Sequence, residues 1–436
     1  MQDKRVRVDY LARLEGEGGL DIVVSGGQIT ELRLNIFEPP RFFEGFLTGR
    51  SFKDVPDFVS RICGICPVAH QMTSIYALEA ALGVKITTEI RDLRKLFALS
   101  QYIQSHSLHA YMLAAPDFLG YPSVIELAGD HLAVAGRALK LKRLGNDLTA
   151  LIGGREVHPV AAVVGGFTRA PSHAELKDVR ARLEDARADG VETVKLLASI
   201  KVPEFNRPPV EFAALRQDDQ FAINEGRVVS DKGLDMAAAD YKKCIKQTQV
   251  PHSNAYHYSV IGRESFAVGP LARLNLNFDK LLPSAKEAAK GAGLSFPYQN
   301  PFMNMAARGV ELAHSIDECI LTIDRLLKTL PRRAGPLLVD VKPRAGVGAH
   351  FTEAPRGVLY HGYTLNGKGL VEAADVVTPT AHNLKRMEDD LWAFVPQVID
   401  KPQEEATLLC EMVVRNYDPC ISCATHFLRL NIVRRD

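Results

Sequence analysis

Two Cys-x-x-Cys pairs lie at opposite ends of this 436-residue chain. Cys63 and Cys66 form the first pair, and Cys420 and Cys423 form the second. If the four thiols serve one site, about 350 residues must fold so that both ends meet in the interior, at an entropy cost that grows slowly with loop length. The spacing therefore predicts a single intertwined domain over residues 1–436.

Each pair lies in a sequence context that suits a metal ligand. Cys66 precedes Pro67, where a helix N-cap is expected and the helix dipole favours a thiolate. Asp418 and Pro419 precede the second pair as an expected cap and first-turn residue. Spacing alone leaves zinc, an iron-sulfur cluster and a mixed thiolate site open, and two unrelated pairs are the alternative.

Composition and charge exclude several other classes of protein. Hydrophobic residues make up 46% of the chain and charged residues 24%, which is typical of a globular protein with a sizeable core. The net charge of +1 gives no reason to expect nucleic acid or an acidic membrane as a partner. The first residues, MQDKRVRVDYLARLEG, contain no continuous apolar stretch, so we expect a cytoplasmic protein without a membrane span.

Hydrophobic periodicity predicts a mainly α fold of the α+β type, with a large central helical bundle and small peripheral β-sheets. An N-terminal β-hairpin region is expected over 1–38, and a β-rich lobe over about 205–275. Asn366-Gly367 predicts a further hairpin. Helices are predicted over residues 67–83, 88–114, 122–152, 174–199, 302–329 and 403–417.

The two cysteine segments, RICGICPVAH and DPCISCATH, resemble the signature motifs of the nickel-iron hydrogenase large subunit. The resemblance covers nearly the whole chain. It looks closest to the cytoplasmic bidirectional branch, whose members couple hydrogen to NAD(P) or, in some cases, to sulfur. The further matching segments are LARLEGEGG, PPRFFEGF, SHSLHAYMLAAPDFLG, GGREVHPVAAVVGGF, NPF, EAPRG and TPTAHN.

The resemblance implies a hydrogenase large-subunit fold and a nickel-iron centre that oxidises H2 reversibly and heterolytically. Cys63 and Cys420 match the terminal nickel ligands. Cys66 and Cys423 match the ligands that bridge nickel to an iron carrying carbon monoxide and cyanide. Soft thiolates suit this assignment.

The same resemblance assigns proton transfer and charge to four other residues. Glu15 matches the carboxylate that passes protons between a terminal thiolate and the surface, with a solvated surface charge as the alternative. Arg356 matches a guanidinium held over the metals, with Asp117 and Asp418 as the acidic groups around it. A turn and a helix cap are the ordinary roles for these two aspartates.

Five further residues are assigned by resemblance to supporting positions. Pro355 and Thr380 match positions that contact the cyanides, and His70 matches a residue that hydrogen-bonds a bridging sulfur. Glu44 and His426 match the ligands of Mg²⁺ or a similar ion near the C-terminal motif. An ordinary turn is the alternative for Pro355 and Thr380, and a surface charge is the alternative for Glu44.

The three remaining cysteines, Cys244, Cys319 and Cys410, form no ferredoxin-like array. We therefore expect an iron-sulfur small subunit as partner, with diaphorase subunits that carry FAD or FMN and further iron-sulfur clusters. Two alternatives remain: a non-catalytic relative such as the quinone-site subunit of respiratory NADH dehydrogenases, and a zinc-stapled structural subunit. Family precursors are commonly cleaved just after the last motif histidine, yet this chain continues through residues 427–436. Either this member is not cleaved, or the sequence is that of the immature form.

Overall fold

The computed structural model describes residues 4–425. It is mainly helical with small separate sheets, which confirms the predicted fold class. A π-helical turn, Leu108–Ala114, interrupts the helices. The α-helices are α1 (Phe43–Leu47), α2 (Val55–Ser60), α3 (Pro67–Leu82), α4 (Thr88–Ser107), α5 (Ala115–Leu119), α6 (Val124–Asp130), α7 (Leu132–Gly153), α8 (His173–Ser199), α9 (Tyr241–Cys244), α10 (Pro270–Asn277), α11 (Pro283–Gly291), α12 (Asn304–Thr329), α13 (Pro379–Val398), α14 (Gln403–Asn416) and α15 (Ile421–Ala424).

The strands form five small sheets among the described residues. Two are three-stranded antiparallel meanders, β1-β2-β3 and β13-β14-β15, and the others have the orders β12-β5-β4, β11-β6-β7-β8 and β10-β9. The strands are β1 (Lys4–Val8), β2 (Gly18–Ser25), β3 (Gln28–Ile36), β4 (Ala162–Val163), β5 (Gly166–Ala170), β6 (Glu211–Arg216), β7 (Arg227–Ser230), β8 (Asp235–Met236), β9 (Ile245–Thr248), β10 (His257–Val260), β11 (Phe266–Ala267), β12 (Gly335–Leu338), β13 (Gly346–Ala354), β14 (Gly357–Leu365) and β15 (Val371–Val377).

Helix α3 begins and ends where the sequence predicts. Pro67 occupies the first turn, Cys66 is the N-cap, and Gly83 ends the helix with a φ of 67°. A left-handed residue at that position is the usual glycine C-cap. Nearly every side chain of α3 is buried, so the helix is fixed on all sides with Cys66 at its buried N-terminus.

Two predicted helices differ from their expected form. The helix predicted over 88–114 is α4 followed by the π-helical turn, a widened geometry that often occurs at functional sites. The helix predicted over 122–152 is divided into α6 and α7 at His131, whose backbone leaves the helical region with φ −130° and ψ 53°. Periodicity reports the buried face, but it does not report such local breaks.

Strand β13 packs directly against α3. A Cβ added at Gly348 would lie 2.2 Å from the Ala77 carbonyl oxygen, so only glycine allows this approach. The next turn, between β13 and β14, consists of Pro355 and Arg356, because Ala354 pairs with Gly357 across it. The close approach of β13 to α3 therefore fixes this turn relative to the helix that carries Cys66.

The β14-β15 hairpin confirms the prediction made from Asn366-Gly367, although its loop is longer than two residues. Oδ1 of Asn366 accepts hydrogen bonds from the backbone N–H groups of Lys368 and Leu370. An asparagine side chain can replace a backbone acceptor in this way and close a longer turn. The hairpin leads directly into α13, which begins beside the C-terminal cysteines.

The two ends of the described chain meet in the interior. The segment before β2 forms a parallel bridge between Glu15 and Cys420, and the Ile421 N–H donates to the Glu15 carbonyl at 2.9 Å. Cys420 and Cys423 join the larger hydrophobic core, while Ile421 and Ala424 join the second. The short helix α15 therefore lies between the two cores.

Among residues 4–425, no helix is both long and apolar enough to cross a membrane.

Candidate metal centre

Four buried thiols from both ends of the chain form one cluster. The ligand atoms of Cys63, Cys66, Cys420 and Cys423 lie within 4.8 Å of one another. The sulfur of Cys63 is 3.5 Å from that of Cys420 and 2.8 Å from that of Cys66, and the sulfurs of Cys66 and Cys423 are 3.9 Å apart. The predicted meeting of the two pairs is therefore present in the fold.

The donor set fits a metal. Thiolates at about 2.3 Å from a tetrahedral ion lie about 3.8 Å apart, which is close to two of these separations. All four cysteines are at most 5% exposed, and three of them line a small buried cavity together with Arg356. A soft, dry, four-sulfur site suits nickel and iron.

The four thiols differ in how readily they lose a proton. Burial opposes ionisation of Cys63, but hydrogen bonds from the other three cysteines lower the pKa of its thiol well below the usual value. Burial raises the pKa of the Cys420 and Cys423 thiols well above it. A bound metal ion would outweigh these differences, because it holds coordinating thiols in the deprotonated form.

Arg356 lies in the β13-β14 turn and is held over this cavity by Asp418. Its Nε donates to the Asp418 carbonyl oxygen at 2.7 Å, and its Nη2 donates to Asp418 Oδ1 at 2.9 Å. Burial alone would lower the pKa of Arg356, but Asp418 and the cysteine sulfurs raise it well above its usual value. Arg356 is therefore a permanent cation beside the thiols.

Asp418 was expected to cap the helix that carries Cys420, and this expectation is wrong. Helix α15 begins only at Ile421, and the Asp418 backbone has a φ of 56°. Its Oδ2 lies 3.2 Å from Nη1 of the buried Arg308. Burial opposes ionisation of Asp418, but Arg356, His109 and Arg308 lower the pKa of its carboxyl group. The carboxylate therefore pairs with two guanidinium groups instead of a helix N-terminus.

Glu15 touches the thiol cluster from the opposite side. The Cys420 sulfur donates to Glu15 Oε2 at 3.0 Å, and the Ser422 backbone N–H donates to the same oxygen at 3.1 Å. The Ser422 hydroxyl donates to Oε1. Because Glu15 is only half-buried, it connects a buried sulfur with the protein surface.

Thr380 and His70 line the cavity with the cysteines. The Thr380 hydroxyl accepts a hydrogen bond from the Cys420 backbone N–H at 2.9 Å. Nδ1 of His70 lies 3.2 Å from Nε2 of His361, which extends the site to the β13-β14-β15 sheet. Pro355 is buried next to Arg356, and its carbonyl accepts a hydrogen bond from Arg273 at 2.9 Å.

Asp117 has other partners than the expected Arg356. It pairs with Arg13 and accepts a hydrogen bond from Nε of Arg415 at 2.7 Å, and it forms no ion pair with Arg356 within residues 4–425. Nε2 of the buried His109 lies 2.8 Å from the carbonyl oxygen of Arg415. Within residues 4–425, the ion-pair partners of Asp117 are therefore Arg13 and Arg415.

The two expected magnesium ligands are Glu44, on α1, and His426. Oε1 of Glu44 accepts a hydrogen bond from the Val376 N–H at 2.8 Å, and the residue is half-buried on α1. His426 lies outside the described residues, which end at Thr425. The carbonyl of Thr425 accepts a hydrogen bond from the Arg41 N–H at 2.9 Å, so α1 begins close to where the described chain ends.

A network of buried charged side chains around Arg273, next to the turn that carries Arg356, was not predicted from the sequence. Arg273 donates to Glu311 at 2.6 Å and to Glu353 at 2.8 Å, and His106 lies 2.9 Å from Glu311. Burial opposes ionisation of Glu311, but Arg273 lowers its pKa to about 2, whereas burial raises that of Glu353 to about 7. The only sequence signal is the charged pair Arg308 and Glu311 within the otherwise apolar segment MAARGVELA near the start of α12.

Comparison with known proteins agrees with this geometry. A family model described as nickel-dependent hydrogenase matches residues 41–135 and 233–426. The alpha subunit of sulfhydrogenase 1 from Pyrococcus furiosus is 34% identical over 426 residues, covering 98% of each chain. The alpha subunit of sulfhydrogenase 2 from the same organism is 32% identical, covering 98% of this chain and 100% of that relative.

A solved structure of similar extent has the same fold. It is a crystal structure of an NAD+-reducing NiFe-hydrogenase in the H2-reduced state, with a TM-score of 0.87 and 28% sequence identity. The match covers 97% of this chain and 99% of that chain. Together with the family model and the two full-length relatives, this places the chain in the nickel-dependent hydrogenase family, as a large subunit.

Proposed function

We propose that the four cysteines hold a nickel-iron centre for reversible H2 oxidation and that Cys420 exchanges protons with Glu15. The observation that carries this proposal is the 3.0 Å contact between Cys420 Sγ and Glu15 Oε2 at the edge of a buried four-thiol cluster. A zinc staple would need the thiols, but it would not need a carboxylate hydrogen-bonded to one of them.

Cys63 and Cys420 are proposed as terminal nickel ligands, and Cys66 and Cys423 as bridging ligands. When bound, the centre would split H2 heterolytically and take up two electrons, with carbon monoxide and cyanide on its iron. The protein excludes water from this chemistry, because none of the four cysteines is more than 5% exposed. A dry site strengthens every electrostatic interaction within it.

Proton transfer is proposed to run from Cys420 Sγ to Glu15 Oε2 and then to the surface. The carboxylate is already in hydrogen-bond contact with the sulfur, and the Ser422 N–H and hydroxyl fix its orientation. A positioned carboxylate of this kind contributes roughly 10²–10⁴-fold to a rate. Among ordinary roles, a solvated surface charge fits Glu15 poorly, because both carboxylate oxygens have protein donors.

Arg356 is proposed to stabilise negative charge in the cavity. Because Asp418 and the cysteine sulfurs raise its pKa further, the guanidinium stays protonated and cannot serve as the alternative proton acceptor beside Cys420. Its two bonds to Asp418 fix the guanidinium in the turn, while Nη1 has no hydrogen-bond partner within residues 4–425. Pro355 and Thr380 are proposed to contact the cyanides, and His70 to support a bridging sulfur. Asp117 is proposed to act on the site indirectly, through its ion pair with Arg415.

Electrons are proposed to leave through an iron-sulfur small subunit. The remaining cysteines are far from forming a cluster: Cys319 and Cys410 are buried in separate helices, and Cys244 ends α9. The relatives from Pyrococcus furiosus are named alpha subunits, which supports a multi-subunit enzyme. Diaphorase subunits with FAD or FMN and iron-sulfur clusters are proposed as further partners.

NAD(P) and sulfur or polysulfide are the two proposed terminal acceptors. Similarity to the two sulfhydrogenases supports sulfur, and structural similarity to an NAD+-reducing hydrogenase supports a nicotinamide. Assay of the purified complex with H2 and NAD+, NADP+ or polysulfide separates the acceptors.

We further propose a cytoplasmic location and an ion of magnesium type bound by Glu44 and His426.

Infrared spectroscopy tests the proposed centre directly. Bands from metal-bound carbon monoxide and cyanide, together with nickel and iron in elemental analysis, are expected for the purified complex. Zinc without these bands would indicate a structural staple. Absence of metal, bands and H2-dependent dye reduction from a fully assembled complex would indicate a non-catalytic relative and would refute the proposal.

A further inference from the structure

A second group of potential metal ligands lies between β10 and α13, away from the cysteines. His252 precedes β10, His257 is the first residue of β10, and Glu388 is on α13. Nε2 of His252 is 2.7 Å from Glu388 Oε1, and Nδ1 of His257 is 3.9 Å from Glu388 Oε2. All three ligand atoms lie within 4.8 Å of one another.

Glu388 is a buried carboxylate that no lysine or arginine neutralises within the described part of the chain. Its Oε1 also accepts a hydrogen bond from the Leu34 backbone N–H at 2.9 Å, which fixes the carboxylate against β3. The neighbouring Lys385 is already paired with Asp389. An isolated buried carboxylate is costly unless a cation compensates it.

His257 is the second indication of a ligand. It is 5% exposed, yet its ring makes no hydrogen bond to any of residues 4–425. Buried polar groups are nearly always paired. Burial lowers the pKa of its imidazole, although Glu388 opposes this shift, and the neutral imidazole is the form that coordinates metals. A simple ion pair between His252 and Glu388 leaves this side chain unexplained.

The ligand types and spacing point to a particular class of ion. Nitrogen and oxygen ligands at about 2.0–2.1 Å from a tetrahedral ion lie about 3.3 Å apart, between the two separations observed here. Small side-chain rotations would therefore complete the set. Two imidazoles and a carboxylate are typical of zinc and similar first-row ions rather than of magnesium. His252 is 18% exposed in its side chain, which leaves an entry path and a position for water.

We propose that His252, His257 and Glu388 form a structural site for a divalent transition-metal ion, most naturally Zn²⁺. The ion fastens β10 and the loop before it to α13 and, through the Leu34 contact, to β3. Thr380, whose hydroxyl holds the Cys420 N–H, lies about 12 Å from Glu388 along the same helix. The site therefore braces the helix that supports the cysteine centre without contributing to its chemistry.

The test uses the assembled enzyme, washed with EDTA under conditions that leave H2-dependent dye reduction unchanged. Titration with Zn²⁺ should restore one ion per large subunit and raise the melting temperature by several degrees. Titration with Co²⁺ should give visible absorption bands of a nitrogen and oxygen site. Both responses should be lost in His257→Ala and in the milder Glu388→Gln, which keeps an acceptor for Leu34.

The matched control is His131→Ala, because His131 is an exposed histidine outside this group. It should bind Zn²⁺ and Co²⁺ as the unchanged enzyme does. Equal zinc uptake and equal stabilisation in the unchanged enzyme, His257→Ala and Glu388→Gln would overturn the proposal, as would an unchanged enzyme that binds neither ion. Dye reduction serves only to verify that each variant assembled, since the proposed ion takes no part in turnover.

Discussion

The Cys420 sulfur donates a hydrogen bond to Glu15 Oε2 across 3.0 Å, although 405 residues separate them in sequence. The contact is reinforced by the backbone, because the Ile421 N–H donates to the Glu15 carbonyl. The distance is thus set by main-chain pairing as well as by side-chain rotamers. A proton on this sulfur has a ready acceptor that reaches the surface.

Glu15→Gln should lower H2-dependent dye reduction by roughly 10²-fold or more, because an amide keeps the shape of the side chain and one acceptor oxygen but cannot carry the proton. Metal content and the infrared bands should be unchanged. Glu17→Gln is the matched control, since Glu17 is exposed two residues away and should keep full activity. Undiminished turnover in Glu15→Gln would remove Glu15 from the proton path.

Arg356→Lys should reduce turnover by roughly 10²–10³-fold, which is typical for loss of one preorganised donor. Lysine keeps the charge but cannot donate from Nε and Nη2 to both the carbonyl and the carboxylate of Asp418. Initial rates of H2 oxidation measure the effect. Arg325→Lys, an exposed arginine paired with Asp92, is the control and should leave the rate unchanged. A rate within twofold for Arg356→Lys would contradict the role.

Cys66→Ala should abolish binding of nickel and iron, because it removes one of the four sulfurs. Cys319→Ala should keep both metals, since Cys319 is equally buried but lies within α12 and outside the cluster. Elemental analysis of the purified complexes compares them. Full nickel and iron in Cys66→Ala would show that the centre lies elsewhere.

Arg273→Met should destabilise the protein by about 3–5 kcal/mol, because it leaves the Glu311 carboxylate buried without its cation and removes the hydrogen-bond donor to Glu353. Unfolding in urea measures the change. The half-exposed Arg216, which pairs with Asp279, offers the matched control Arg216→Met, with an expected change below about 1 kcal/mol. Equal stability of the two variants would mean that the network contributes little.

Acid should weaken the fold through His382. Burial lowers the pKa of His382 to about 4, and its Nε2 lies 2.8 Å from the Tyr241 hydroxyl. An unfolded histidine titrates near 6.5, so the unfolded state binds the proton first. The contribution of His382 to stability is complete above pH 6.5 and declines as the pH falls towards 4, by at most about 1.4 kcal/mol per pH unit.

Urea midpoints at pH 7.5, 6.5, 5.5 and 4.5 measure this dependence. His382→Gln should show a shallower decline below pH 6.5, whereas the exposed His131→Gln should follow the unchanged protein. Other buried histidines, His106 and His314, also have pKa values lowered to about 4 by burial, so some decline remains in every variant. Identical slopes for His382→Gln and the unchanged protein would contradict the assignment.

Local signals in the sequence predicted much of the helical framework. Pro67 and Gly83 bound α3 because a proline start and a left-handed glycine end are properties of the backbone alone. The meeting of the cysteine pairs also followed from chemistry, since thiolates share a metal. The description of residues 1–436 as one domain stays a prediction.

Contacts made by long-range packing could not be predicted in this way. Asp418 looks like a helix cap in sequence, but two buried arginines from distant elements, Arg356 and Arg308, decide its conformation. Arg273 has no motif, and its role appears only when Glu311 and Glu353 are brought to it. Side-chain roles that depend on non-local charge pairing are therefore visible only in the folded chain.

The bridge between Glu15 and Cys420 also sets a time order for the making of this protein. A ribosome adding about 5–20 residues per second delivers the second cysteine pair roughly 20–70 seconds after the first. During that interval Cys63 and Cys66 have emerged without half of their ligand partners. The segment around Glu15 must likewise wait for its β-bridge partner, so the site forms only after the chain has been synthesised as far as Cys423 rather than growing outward from an early nucleus.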